Sequence, residues 1–344
     1  MHAFVFAGGC RGCRLVRMIF RSVLLVVLTC PSSLFAWGDD GHNAIWSVAQ
    51  SRLSPVAKHR VDAILKGDKL EMTAVWMDRA RDAAKGKGGP LAEDADAAAF
   101  NIEFKYNSTW HYVDLPLGAR SYEEVKEFHG HDNVVTQITA AIKVLQGKLK
   151  VMDERTALRV LVHLVGDIHQ PMHCGSGFFD ISDLKKPVLH TDPVKCLPLE
   201  KERAGDMGGN LLFFGPDPFD QLHGYWDVDV PKRVGLLASL ADVLTQHIPS
   251  VKADTPGTLH EWSAQWAGES VKVAAKAYTK LTFGACTPAA EGGKGGKFER
   301  IEISLPADYA EFSKAVGTEQ MTKAAIRLAD VLNTIWKTTQ QGDE

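Results

Sequence analysis

Cysteine is scarce in this 344-residue chain: there are six, of which Cys10, Cys13 and Cys30 lie within the first 36 residues. The other three, Cys174, Cys196 and Cys286, are an odd number, so two disulfides cannot form among them. The expectation is one bridge, Cys174 with Cys196, closing the long connection between them, and one spare thiol. Long apolar runs are also lacking. Ser22 to Cys30 is too short for a membrane span and no other stretch approaches one, which argues against stable membrane association. Net positive charge is absent as well. The formal charge is −3, and because four arginines and no acid precede residue 37, the remainder carries −7. Sequence-independent affinity for nucleic acid comes from Lys and Arg neutralising phosphates, so a general nucleic-acid coat is excluded. If the chain handles phosphates, bound metal must supply the positive charge. No internal repeat and no alternating βα pattern is present. The expected class is therefore all-α, one compact, mainly helical domain with a few short strands.

The first 36 residues read as a signal peptide. Arg11, Arg14, Arg17 and Arg21 precede the apolar run, and Pro31 to Ala36 ends in a small residue; Met18 is a second candidate start. Cleavage before Trp37 would leave residues 37–344 as an exported, periplasmic or secreted chain, expected to be monomeric. His42 opens an amphipathic helix (Ile45, Val48, Ala49, Leu53), and Ser54-Pro55 caps and starts the next. Further helices are expected over Met72 to Ala84, over Asn133 to Leu149, and from Glu154 onward. Trp110 to Asp114 reads as extended, closed by Pro116. Residues 174–209 form a polar connection without a clear period, long enough to be a flap or an insertion. Leu211 to Phe214 reads as a short strand and Asp220 to Val228 as a helical turn. The rest reads as helix: Pro231 to Gln246, Leu259 to Leu281, and Ala307 to Lys337 with a break at Gly317. Glu291 to Lys297 links the last two.

The chemistry concentrates in His163-Leu-Val-Gly-Asp167-Ile-His169-Gln-Pro171-Met-His173. A helix broken before Pro171 puts His163 and Asp167 on one face, with His173 arriving just past the break. Imidazole and carboxylate are zinc ligands, and a carboxylate has two oxygens with which to join two cations. His223 and Asp227 repeat the same i, i+4 spacing, Asp78 stands beside Trp76, and His111 lies between Trp110 and Tyr112. These are more ligands than one zinc can use, which points to a multinuclear site. The new N-terminus is a further donor: an α-amine of pKa about 8 on Trp37 sheds its proton cheaply, with His42 close by in sequence.

Trp37-Gly-x-x-Gly-His42, Trp76-x-Asp78, Trp110-His111-Tyr-x-Asp114, the His163 to His173 motif and His223-x-x-Trp-Asp227 together resemble the S1/P1 (type I) nuclease family. The resemblance implies a secreted nuclease with three zinc ions per chain, acting on single-stranded DNA and RNA with 3′-nucleotidase activity. It also implies a helical fold of the phospholipase C and nuclease P1 type. It places Asp78, His111, His163 and Asp167 on one zinc, His173, His223 and Asp227 on a second, and Trp37, His42 and the shared Asp167 on the third. His169 is then not a ligand. Residues 174–209 depart from the pattern, since family members generally have a shorter connection there. For the reaction, Asp78 is expected to orient the attacking hydroxide, with Asp167 between the metals and Arg81, one helical turn on, facing the developing phosphoryl charge. Tyr112 offers a face for an unstacked base and Asp114 an acceptor for its edge. Two rivals stand beside this reading. One is a zinc-dependent phospholipase C, which usually has Glu where Asp227 stands; the other is a non-catalytic zinc-binding export protein.

Overall fold

Helix α6, Glu154–Asp167, is the element around which the others are arranged. Asp153 caps it, its carboxylate accepting from the backbone N–H groups of Arg155 and Thr156, both at 2.9 Å. Leu158, Val160, Leu161, Val162, Leu164 and Val165 are all buried. A helix apolar on every side has to be covered on every side, and α6 packs against α1, α2, α3, α5 and α12. Each buried Leu or Val contributes roughly 1.5–3 kcal/mol, so the polar ends of this helix are held by its apolar body.

The computed structural model describes residues 37–290 and 296–337. The signal peptide read over residues 1–36 and most of the linker read over Glu291 to Lys297 lie outside the described residues. The surrounding helices are α1 Gly38–Ser51, α2 Pro55–Leu65, α3 Leu70–Ala84, α4 Ala95–Glu103 and α5 Val134–Leu145 before α6. After it come α7 Pro193–Lys201, α8 Leu222–Gly224, α9 Val230–Val234, α10 Leu240–His247, α11 Trp262–Tyr278 and α12 Tyr309–Ile335. The all-α expectation holds: the strands are few and mostly short. Two-residue β1 (Leu115–Pro116) pairs in parallel with β2 (Gly175–Ser176), and β3 (Phe178–Asp180) pairs with β4 (Val188–His190) as a hairpin. β5 (Leu212–Phe213), β6 (Thr282–Pro288) and β7 (Phe298–Ser304) form a sheet in the order β5-β7-β6.

Several expected elements are corrected. α1 starts at Gly38, so His42 lies within it rather than at its start. Trp110 and His111 sit in a 3-10 turn, Asn107–His111, and only from Tyr112 onward is the backbone extended. The helix read over Pro231 to Gln246 breaks between Val234 and Leu240. α12 runs unbroken through Gly317, whose missing side chain is needed for packing: a Cβ there would lie 2.3 Å from Val230 Cγ1. Strands β6 and β7 lie between the helices read over Leu259 to Leu281 and Ala307 to Lys337, on either side of the linker, where no element was expected. Residues 174–209 are no structureless flap but carry β2, β3, β4 and α7. Cys174 and Cys196 are not bridged. Each thiol donates to its own carbonyl, Cys174 to Ile168 O and Cys196 to His190 O, both at 3.3 Å, and the connection is closed by strand pairing instead. Cys286 is a free buried thiol as well.

Candidate metal centre

Three elements converge at the C-terminal end of α6. α1 brings His42, α3 brings Asp78 and Arg81, and the 3-10 segment brings His111, with Tyr112 just after it. Gly166 permits the closest of these approaches, since a Cβ there would lie 2.6 Å from His42 Nδ1. Its carbonyl accepts the indole N–H of the wholly buried Trp37 at 3.0 Å, which places the first described residue beside Asp167.

The carboxylate of Asp167 stands between two sets of donors. Oδ1 is 3.2 Å from His42 Nε2, whereas Oδ2 is 2.9 Å from His111 Nδ1 and 3.3 Å from His163 Nε2. The potential ligand atoms therefore gather into groups: His42 with His163 and Asp167; Asp78 with His111 and His163; and His173 with His223 and Asp227. Every histidine and aspartate expected to bind metal falls in one of these groups. Asp78, His111, His173 and His223 also line one cavity of about 160 Å³, together with Arg81, Ser108, Tyr112, Asp114, Met207 and Asn210. Larger cavities of about 700 and 770 Å³ lie elsewhere and contain none of these groups.

The fit to metal ions can be read from the hydrogen bonds. His163, His173 and His223 each donate Nδ1–H to a backbone carbonyl, of Ala74 at 2.8 Å, His111 at 2.7 Å and Gly208 at 2.8 Å respectively. That leaves Nε2 of each ring, once it carries no proton, as the nitrogen that can coordinate, the arrangement metal-binding histidines adopt. At the same time the buried atoms His42 Nε2, Asp78 Oδ2, Asp167 Oδ1, His173 Nε2 and Asp227 Oδ2 have no hydrogen-bond partner. An unsatisfied buried polar atom costs about 1–3 kcal/mol, and these are gathered at one place. Metal ions would satisfy them together.

The charge balance points the same way. Burial would raise the Asp167 carboxyl, but His163 and the hydrogen bonds from His111 and His163 hold it well below the usual range. Burial opposes the proton on His163 too, and the Asp167 and Asp78 charges overcome it, raising its pKa to about 9. Burial lowers His111 to about 4 and, with His173 close by, His223 to about 3, so both rings are neutral and ready to coordinate. Burial raises Asp227 well above its ordinary value; Gln170 donates to its Oδ1 at 2.8 Å and turns Oδ2 toward His223 Nε2, 3.3 Å away. Gln170 was not singled out from the sequence, although it lies inside the motif.

Arg81 sits 2.9 Å from Asp78 Oδ1 on the wall of the cavity. Tyr112 is 36% exposed, with its ring at the mouth. Burial, with Asp206 and Glu200 nearby, pushes Asp114 up to about 7. His169 faces away from the metal groups: its Nδ1–H donates to Val165 O at 2.8 Å and its Nε2 accepts from Arg327 at 3.0 Å.

Comparison with known proteins agrees with this geometry. The family described as S1/P1 Nuclease matches residues 37–337. Endonuclease 1 of Arabidopsis thaliana is 23% identical over 345 residues, covering 91% of each chain. Nuclease S1 of Aspergillus oryzae is 20% identical over 319 residues, 88% of this chain and 92% of that one. Nuclease P1 of Penicillium citrinum is 25% identical over 207 residues, 58% of this chain and 59% of that one.

Proposed function

The chain belongs to the S1/P1 nuclease family and is a nuclease acting on nucleic acids, and from that premise we propose a zinc-dependent endonuclease of single-stranded DNA and RNA. It releases 5′-nucleotides and removes the phosphate from 3′-nucleotides. The observation that carries this reading is the position of Asp167, one oxygen toward His42 and the other toward His111 and His163. Trp37, His42 and Asp167 would hold one zinc, Asp78, His111, His163 and Asp167 a second, and His173, His223 and Asp227 a third. When bound, zinc supplies Lewis acidity, lowering the pKa of water and neutralising phosphoryl charge.

The remaining work falls to the chain's own residues. Asp78, whose Oδ2 makes no hydrogen bond within the chain, accepts a hydrogen bond from the attacking water, aiming its oxygen at phosphorus. Arg81, steadied by Asp78 Oδ1, faces the phosphoryl oxygens as charge builds on them. The P–O3′ bond breaks, O3′ leaves and takes up a proton, and the phosphate stays on the 5′ side of the next nucleotide. Tyr112 stacks on one base, which must be out of a duplex to reach it, and Asp114 accepts from the edge of that base. Stacking on Tyr112 tolerates every base, so the stacking itself selects for single strands and not for sequence. Asp227 in place of glutamate, and Arg81 and Asp114 on the wall of the cavity, favour this over phospholipase C.

Denatured DNA, RNA, a 3′-mononucleotide and phosphatidylcholine, offered in parallel to the purified chain beginning at Trp37, test the reading. Hydrolysis of the first three is expected; hydrolysis of the lipid alone would overturn it. The proposal includes export, with cleavage before Trp37 freeing its amine as a ligand. A chain retaining residues before Trp37 has an amide there and is expected to lose roughly tenfold or more in activity. Full activity of that longer form, measured on denatured DNA, would remove the N-terminus from the site.

A further inference from the structure

Residues 174–209 build a second cavity that the reaction above leaves unused. It holds about 170 Å³, and Asp114, Ser176, Phe178, Glu200, Arg203 and Met207 are among its walls. Asp114 and Met207 also line the catalytic cavity, so the two spaces share a wall at the expected base platform. Its frame is tied on several sides. Phe178 bridges to Gly205, the N–H of Phe179 donates to Ala204 O at 3.0 Å, and that of Lys297 donates to Arg203 O at 2.9 Å. Below it, Asp206 accepts from Ser176 Oγ at 2.9 Å and from Tyr278 OH at 2.8 Å.

Among the described residues, those other than glycine with φ in the left-handed region are Trp37, Arg203 (58°) and Met207 (57°). Side chains disfavour this backbone, and it persists where the surroundings enforce it, typically at functional sites. Trp37 lies against the metal groups, while Arg203 and Met207 line the second cavity.

The chemistry of the lining is specific. Two carboxylates, Asp114 and Glu200, and one guanidinium, Arg203, are within electrostatic reach of one another: Glu200 raises Asp114, and Arg203 lowers Glu200. Glu200 and Arg203 are exposed at the mouth, where a ligand can meet them. A base lying on Tyr112 with its edge toward Asp114 thus borders a cavity whose lining offers both carboxylate acceptors and a planar fork of donors. Guanine matches both, with N1–H and N2–H₂ for carboxylates and O6 and N7 for arginine. Adenine would set its N1 acceptor against the carboxylates and its amino group against the arginine. Cytosine and uracil have no N7.

We propose that Asp114, Glu200 and Arg203 form a guanine-selective pocket for the nucleotide whose O3′ is released. This rests on the nuclease reading, and the experiment separates the two. The zinc-loaded chain is given the dinucleotides GpA, ApA, CpA and UpA, and kcat/KM is compared for the wild type and for Glu200→Gln combined with Arg203→Gly. GpA should be the best substrate, and its ratio to ApA should fall by about tenfold in the double variant. The ratio cancels any loss common to all substrates, and glycine at 203 relieves the positive φ, so the melting temperature should not fall. Cleavage of all four at equal rates, or an unchanged ratio in the variant, would overturn the proposal. If no dinucleotide is cleaved, the nuclease reading fails, and calorimetry with 5′-GMP against 5′-AMP decides the pocket alone: tighter GMP supports it and equal affinity overturns it.

Discussion

Asp167→Asn is expected to lower kcat/KM on denatured DNA by roughly 10³-fold or more, about 4 kcal/mol of transition-state stabilisation. The reason is geometric. Asp167 presents Oδ1 to His42 at 3.2 Å and Oδ2 to His111 at 2.9 Å, and both oxygens are wholly buried. An amide keeps one oxygen and turns N–H groups toward the other donor set, so one metal position loses a charged ligand and the other loses its bridge. His169→Asn, two residues away, is the matched comparison. His169 belongs to the Arg327 network, where Arg327 also pairs with Glu269 at 2.8 Å, so its loss should show as lower thermal stability with catalysis largely kept. Steady-state kinetics and melting temperatures on both variants check the pair. Equal losses of activity would mean that Asp167 does not bridge.

Removing metal by chelation is expected to lower the melting temperature by roughly ten degrees. A site filled about a thousandfold above its Kd stabilises by roughly 4 kcal/mol, and in a chain of this size each kilocalorie is worth a few degrees. The stripped protein leaves Asp78, Asp167 and Asp227 oxygens buried without partners. The effect also has a direction in pH. In the stripped protein His163 has a pKa of about 9 against 6.5 unfolded. Its contribution is therefore fully present below pH 6.5 and is lost as pH rises through 9. Metal loading runs the other way, because ligands must be deprotonated to bind. The gap in melting temperature between loaded and stripped protein should therefore widen from pH 6.5 to 9. A gap that stays constant or narrows over that range, in calorimetric scans, would contradict the assignment of His163 as a ligand.

The site was more legible in the sequence than the fold around it. Metal ligands are restricted to a few residue types at spacings fixed by helix geometry, so His163, Asp167 and His173 announce themselves as candidates, and His223 with Asp227 repeats the pattern. The residues that aim these ligands carry no such mark. Gln170 reads as an ordinary polar residue until it is seen 2.8 Å from Asp227 Oδ1, and the carbonyls of Ala74, His111 and Gly208 that orient three imidazoles are invisible in any sequence. Among the elements, α6 was legible from Glu154 onward, where apolar Leu161, Val162, Leu164 and Val165 flank the motif. The β6–β7 pair was missed although Phe298, Ile301 and Ile303 are buried among exposed neighbours, because long helical patterns on both sides dominate the period. The Cys174 to Cys196 bridge failed for a related reason: counting cysteines says nothing about where each thiol points, and here each has its own carbonyl.

The central claim is that the site has three metal positions, two of them joined by the Asp167 carboxylate and the third held by His173, His223 and Asp227. Elemental analysis of the purified chain beginning at Trp37 tests it most directly. Close to three zinc per chain is the predicted result, and a value near one would contradict it.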